Sequence, residues 1–158
     1  LLRRQRAEIL FEQALALAIL RLVELEKAVV EGAGAAPLAA CLAGLIPTLN
    51  GKKVVLPLCG GNIDTTILGR VLGRGLAHDG RLSRFSATIS DRPGGLARFA
   101  TLVAETGASI IDIAHDRAFG RGDVSTVTVH CVVETRDQEH IALLHHRLRN
   151  GGCEIAEH

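Results

Sequence analysis

Ser83-Arg84-Phe85-Ser86-Ala87-Thr88-Ile89-Ser90, then Asp91-Arg92-Pro93-Gly94-Gly95, then Leu96-Ala97-Arg98-Phe99-Ala100-Thr101-Leu102-Val103: this stretch decides the fold of the second half of the chain. Its first eight residues alternate. Phe85, Ala87 and Ile89 fall on one side and Ser86, Thr88 and Ser90 on the other, which is the period of a half-buried strand. The next five residues are turn chemistry, with Asp91 as a plausible helix N-cap and Pro93 suited to a first helical turn. Leu96, Phe99, Ala100 and Val103 then recur at i, i+3, i+4 and i+7, the apolar stripe of a helix. Gly107 sits where a left-handed residue closes such a helix.

Downstream the pattern continues in kind. Ile110–Ala114 reads as a second strand, Phe119-Gly120-Arg121-Gly122-Asp123 as a hairpin loop, and Val124–Val133 as a third strand with Val127, Val129, Cys131 and Val133 on one face. Asp137–Asn150 reads as a second helix that buries Ile141, Leu144 and Leu148 and ends at Gly151-Gly152, and Cys153–Ala156 closes as a fourth strand. Strand, helix, strand, strand, helix, strand is the split-βαβ, ferredoxin-like order. It predicts four antiparallel strands with both helices on one face and the other face left for a partner.

Upstream, Glu8–Glu26 is built of helix formers, apolar all round from Leu15 to Ile19, as in a helix packed inside a larger body. Leu10, Ala14, Leu17 and Val23 mark its buried face. Val29-Val30-Glu31-Gly32-Ala33-Gly34-Ala35-Ala36-Pro37-Leu38-Ala39-Ala40 comes next, where a turn leads into an Ala-rich helix that stops near Gly44 and Pro47. Lys53–Leu58 reads as a short buried strand after an Asn50-Gly51 turn, and Cys59-Gly60-Gly61-Asn62 leads into a helix from about Ile63 to Leu76. Strand, glycine turn, helix is an α/β sign. The pattern changes at His78-Asp79-Gly80, where a domain boundary is placed. The fold class is therefore α+β, with domains at 1–79 and 82–158.

Composition narrows the function. Of 158 residues 47% are hydrophobic, charged groups balance to a net +1, and aromatics are 3% without Trp or Tyr. No basic stripe points to nucleic acid and no aromatic set offers stacking. Arg21, Glu24, Glu26 and Lys27 interrupt the most apolar stretch, so no membrane span is expected. Cys41, Cys59, Cys131 and Cys153 form no CxxC pair, and single cysteines in apolar segments fit a reducing, cytoplasmic setting. Gly32-Ala33-Gly34 lacks the third glycine of a dinucleotide loop and reads as close helix packing. His145 and His146 are adjacent on a helix and diverge. His115 and His130, on adjacent predicted strands, could meet but have no third ligand, so no metal is expected. Ser90, Asp91 and His115 come without a nucleophile elbow and are not read as a triad. The chain contains no Met and begins at Leu1, which reads as a fragment or an incomplete gene product.

Two patterns carry a family resemblance. Asp91-Arg92-Pro93-Gly94, between a strand and a helix inside the βαββαβ order, resembles the ACT domain. The resemblance implies side-by-side pairing of copies and amino-acid binding at the shared interface, with Asp91, Arg92, Pro93 and Gly94 as effector-binding or interface residues. Val29–Ala35 followed by Leu58-Cys59-Gly60-Gly61-Asn62-Ile63-Asp64 resembles the C-terminal part of threonine and serine dehydratases, which are fold-type-II pyridoxal-phosphate enzymes. By position, Cys59 is implied to contact the pyridine nitrogen of the cofactor. Gly60 and Gly61 would leave room beside the ring, and Asn62 would cap the following helix. Glu31 lies in the matching turn with no chemical role implied.

The family's cofactor-binding lysine and phosphate loop have no counterpart around Lys27, Lys52 or Lys53. No catalytic residue is therefore assigned in this chain, and the chain alone is not expected to be active. The first reading is the C-terminal fragment of a threonine or serine ammonia-lyase, giving 2-oxobutanoate from threonine, with an ACT tail for sensing or dimerisation. The alternative is a stand-alone ACT-type binding or dimerisation module without catalysis. Residues 1–79 are expected to self-associate through exposed apolar surface, and 82–158 to fold alone.

Overall fold

The structure is a computed structural model that describes residues 2–116 and 125–157. The chain divides into two compact units, Leu1–Asp79 and Gly80–His158.

In the first unit α1 (Leu2–Arg21) runs into a π-helical turn at Leu22–Glu26, which ends at Lys27 with a left-handed φ of 56°. α2 (Gly32–Leu42) and α3 (Thr65–His78) both pack on α1. The core is mostly alanine: Ala14, Ala18, Ala35 and Ala39 are buried with Ile19, Leu22 and Val30. Small side chains let the helices approach closely. A methyl group at Gly75 would lie 2.8 Å from the Ala16 carbonyl oxygen. The Arg21 guanidinium pairs with Asp79 at 2.6 Å and joins the ends of α1 and α3.

Three expectations fail here. Lys53–Leu58 is not a buried strand: it forms no regular structure, and Val55 is 93% exposed. A strand needs a neighbour to receive its amides and carbonyls, and the described residues of this unit contain no strand to pair with. Asn62 does not cap α3. Asp64 does, its carboxylate accepting from the amides of Thr66 (2.8 Å) and Ile67 (3.2 Å), because it is the last residue before the first helical turn. Leu10, placed on the buried face by its spacing, is 55% exposed.

The second unit contains β1 (Leu82–Ser90), α4 (Gly95–Glu105), β2 (Ser109–Asp116), β3 (Thr126–Glu134), α5 (Gln138–Asn150) and β4 (Glu154–Glu157). The sheet order is β2-β3-β1-β4 with every neighbour antiparallel, the ferredoxin-like arrangement that the alternation predicts. Phe85 stands opposite Cys131, Ala87 opposite Val129 and Ile89 opposite Val127. These inward residues pack under Phe99, Leu102 and Val103 of α4 and Leu144 and Leu148 of α5. A register shift between Ile110 and Asp112 turns Ile110 and Ile113 toward this core and leaves Ile111 54% exposed. The expected hairpin loop Phe119–Asp123 lies outside the described residues.

Here the corrections are small. Leu102 takes the core place given to Leu96, which sits in the first turn of α4 at the rim. Asp91 does not cap α4. The N-cap is Gly94 at φ 91°, a left-handed conformation that costs glycine little. Gly107 follows α4 at φ 83°, as expected of a closing residue. Asp137 caps α5 through the His140 amide at 2.8 Å.

Two histidines of α5, His140 and His145, are buried, and the sequence pattern did not place either in the core. His140 Nδ1 accepts from the Arg136 amide at 3.1 Å, so Nε2 carries the proton and donates to the Thr106 carbonyl at 2.8 Å. That side chain ties the end of α4 to the start of α5. His145 stacks edge-on against Phe85, with ring centroids 5.1 Å apart.

Candidate functional sites

Each unit contains one candidate site. In the first, the two glycine motifs meet. The Glu31 amide donates to the Gly60 carbonyl at 2.9 Å, and the Glu31 carboxylate rests beside the Gly60 Cα. A methyl group at Gly60, whose φ is 83°, would collide with Glu31 Oε1, and one at Gly34 would collide with the Cys59 carbonyl oxygen. Close backbone approach therefore requires glycine on both sides of this contact. The arrangement holds Cys59-Gly60-Gly61 against the start of α2, with Cys59 and Asn62 at the surface. Glu31, given no chemical role by its sequence position, is the residue that packs on the loop.

In the second unit, a cleft of about 300 Å³ opens where β1 leads into the Asp91–Gly94 loop. Thr88, Ser90, Arg92, Ser125, Thr126 and Glu154 line it, together with Ile89 and Gly152. The ladder explains the gathering. Thr88 faces Glu154 of β4, and Ser90 faces Thr126 of β3, so four residues from three strands share the sheet face that α4 and α5 do not cover. Of the loop residues singled out in the sequence, only Arg92 lines the cleft. Asp91 braces the loop through its amide to the Ser125 carbonyl at 2.9 Å and lies 3.9 Å from His115, while Gly94 starts the helix. The Arg92 and Glu154 side chains form no hydrogen bond or ion pair among the described residues. Alternation marks Thr88 and Ser90 in the sequence. Alternation puts Thr126 on an outward face as well, but that Thr126 and Glu154 stand beside Thr88 and Ser90 is visible only once strands are paired.

His115 and His130 do not meet. His115 stands opposite Val129 and His130 opposite Ala114, which puts them on opposite faces of the sheet. His130 Nδ1 instead pairs with the Ser86 hydroxyl at 2.8 Å. Among the described residues no group of three or more His, Cys, Asp or Glu side chains is placed to hold a metal ion, and no helix is long and apolar enough to cross a membrane.

Comparison with known proteins gives consistent results for the sequence. The ACT domain family matches residues 83–150. An L-threonine ammonia-lyase of Geobacter sulfurreducens is 45% identical over 130 residues, covering 82% of this chain and 32% of that protein. One from Thermotoga maritima is 35% identical over 144 residues, covering 91% of this chain and 35% of that protein. The chain thus spans about a third of the length of the curated relatives it matches. Among solved structures, a formyltetrahydrofolate deformylase from Pseudomonas putida KT2440 matches with a TM-score of 0.35 at 11% identity, over 48% of this chain and 27% of that one. That likeness is too low to carry an argument.

Proposed function

Residues 83–150 belong to the ACT domain family, in a chain related to L-threonine ammonia-lyases, and on that premise we propose that this is the regulatory part of a pyridoxal-phosphate-dependent threonine or serine ammonia-lyase. Its second unit takes an amino acid at the Arg92–Glu154 cleft and pairs with a second copy, and its first unit supplies a loop beside the cofactor.

The observation that carries the reading is that one positive and one negative side chain, Arg92 and Glu154, line the same cleft. A free amino acid presents a carboxylate and an ammonium group. The Arg92 guanidinium offers a planar fork to the first, and the Glu154 carboxylate accepts from the second. The cleft volume lies at the low end of the roughly 300–1,000 Å³ usual for small-molecule sites, which suits a ligand of this size. The sheet face that no helix of this unit covers leaves room for a partner copy.

The residues of the first unit suit pyridoxal phosphate in the complete enzyme. Cys59 presents its thiol at the surface of a loop whose backbone, free of side chains at Gly60 and Gly61, can come close to a flat ring. A thiol is a weak proton donor and does not force a proton onto a pyridine nitrogen as a carboxylic acid would. When bound, the cofactor supplies the electron sink that lets a hydroxy amino acid lose water and then ammonia. Glu31 holds the Cys59–Gly61 backbone in place, and Asp64 fixes the start of α3 just beyond it.

Calorimetry of the 158-residue chain against the common L-amino acids tests the reading, with sedimentation of the same samples. Saturable heat with at least one amino acid, abolished by Arg92→Ala, is expected, together with a dimer or larger assembly. Absence of heat across the panel rules out amino-acid sensing. Incubation of this chain with pyridoxal phosphate and L-threonine is expected to yield no 2-oxobutanoate; formation of that product would overturn the assignment of catalysis to a larger parent.

A further inference from the structure

We propose that the open face of the second unit's sheet is a self-complementary docking surface for a second copy of this chain. The two faces meet about a two-fold axis along β3, and two Arg84–Asp112 ion pairs set their register. The proposal rests on the reading that this unit pairs with a second copy, and it names the surface and the residues that would do so.

The ladder supplies the basis. Asp112 of β2 stands opposite Val132 of β3, and Arg84 of β1 stands opposite the same Val132 from the other side. Residues paired across a ladder share a face. The chain neighbours of this row, Phe85, Cys131 and Ile113, pack in the core under α4 and α5, so the row itself lies on the uncovered face. It has an exposed acid at one end, a half-buried valine in the middle and an exposed base at the other end. With neighbouring strands about 4.8 Å apart, the backbones of Arg84 and Asp112 are separated by roughly 10 Å. Neither side chain forms a hydrogen bond or ion pair among the described residues. The adjacent row runs Ala114, His130, Ser86, Ala156. Three of these four side chains are small, which keeps the face flat enough for another sheet.

Sheets stack face to face at about 10 Å, a gap that an arginine and an aspartate reaching from opposite sides can close. A half-turn about an axis along β3, between the two faces, exchanges the ends of the row. It lays Arg84 of one copy over Asp112 of the other, twice per pair, and Val132 over Val132. A row with opposite charges at either end of an apolar centre is thereby its own complement, as an isologous interface requires. A copy slipped by one strand loses both charge matches, so the pattern fixes register as well as partner. The contact uses the face and leaves the outer edges of β2 and β4 open, so side-by-side pairing of copies is compatible with it.

Charge reversal provides the test, read by sedimentation of the 158-residue chain. The wild-type chain is expected to form an assembly that falls to half its number of copies in Arg84→Glu and again in Asp112→Arg. The double variant Arg84→Glu/Asp112→Arg, which restores opposite charges in the reverse sense, should recover the wild-type assembly. Both side chains are exposed, and circular dichroism checks that all three variants remain folded. Association through the apolar surface of the first unit would not follow this loss and recovery. A wild-type assembly that neither single variant alters would overturn the face as the docking surface and leave pairing through another surface standing. Loss in both single variants without recovery in the double would overturn the Arg84–Asp112 pairing. A monomeric wild-type chain would overturn the surface and the pairing together.

Discussion

The two halves of this chain use different kinds of core. Gly80–His158 buries large side chains, Phe85, Phe99, Leu144, Leu148 and a row of valines, between a paired sheet and two helices. Leu1–Asp79 buries mostly alanine between three helices. Among the described residues, ten large hydrophobic side chains are exposed in the first unit, including Leu25, Leu45 and Val55, against Leu96, Ile111 and Leu143 in the second. One unit covers its own apolar surface. The other leaves apolar surface uncovered, as would a piece that packs against further protein.

The widest expected difference between the units is in thiol chemistry. Burial, helped by Asp112, pushes the Cys131 thiol up to about 11, and burial raises Cys153 also. At pH 8 Cys131 would therefore be only about a thousandth thiolate. Exposed Cys59 is expected to react with an alkylating reagent at once, and Cys131 and Cys153 only after their unit unfolds. Mass spectrometry of pulse-labelled chain reads this directly, and early labelling of Cys131 would mean that the second unit is not the tighter one.

Next in size is Phe85→Ala. It removes a fully buried ring that meets both Phe99 and His145 and is expected to cost about 3–5 kcal/mol in urea denaturation of the second unit. A cost below about 1 kcal/mol would weaken the contrast between the cores.

Gly34→Ala probes the first unit. The added methyl group collides with the Cys59 carbonyl oxygen, so the loop must move, at an expected cost of about 1–3 kcal/mol. Amide exchange at Glu31, whose N–H bonds to Gly60, should accelerate while the amides of residues 82–116 remain unchanged. Unchanged exchange at Glu31 would show that the two glycine motifs do not brace each other.

The smallest effect concerns Asp64. The amides of Ile67 and Thr66 lower its carboxyl below the ordinary carboxylate value. A lowered folded value stabilises the cap above the unfolded value, and that contribution is lost as pH falls through the lower, folded one. Acid titration should therefore fray the start of α3, an effect that Asp64→Asn would largely remove. Far-UV circular dichroism of the two proteins, compared between pH 6 and pH 2, reads the difference.

Legibility followed the same division. In the second unit the alternation of Phe85, Ala87 and Ile89 and the spacing of Phe99 and Val103 were enough for strand, helix and core, because each element carries its own period. The turn at Asp91–Gly94 was legible as a turn, but its cap was misplaced from Asp91 to Gly94 by three residues, since several turn residues compete for one position. In the first unit Lys53–Leu58 looked like a strand by composition and is not one, because strand formation depends on a partner elsewhere in the chain.

By itself the sequence determined the class of the second unit, its element order, the identity of most of its core and the motifs that resemble a lyase and its sensor. These rest on local periodicity and short spacings. Only the tertiary structure brought Glu31 onto Gly60, gathered Arg92 and Glu154 into the lining of one cleft, and sent His115 and His130 to opposite faces. Contacts of that kind depend on strand register and on the close approach of segments tens of residues apart. No local period encodes them.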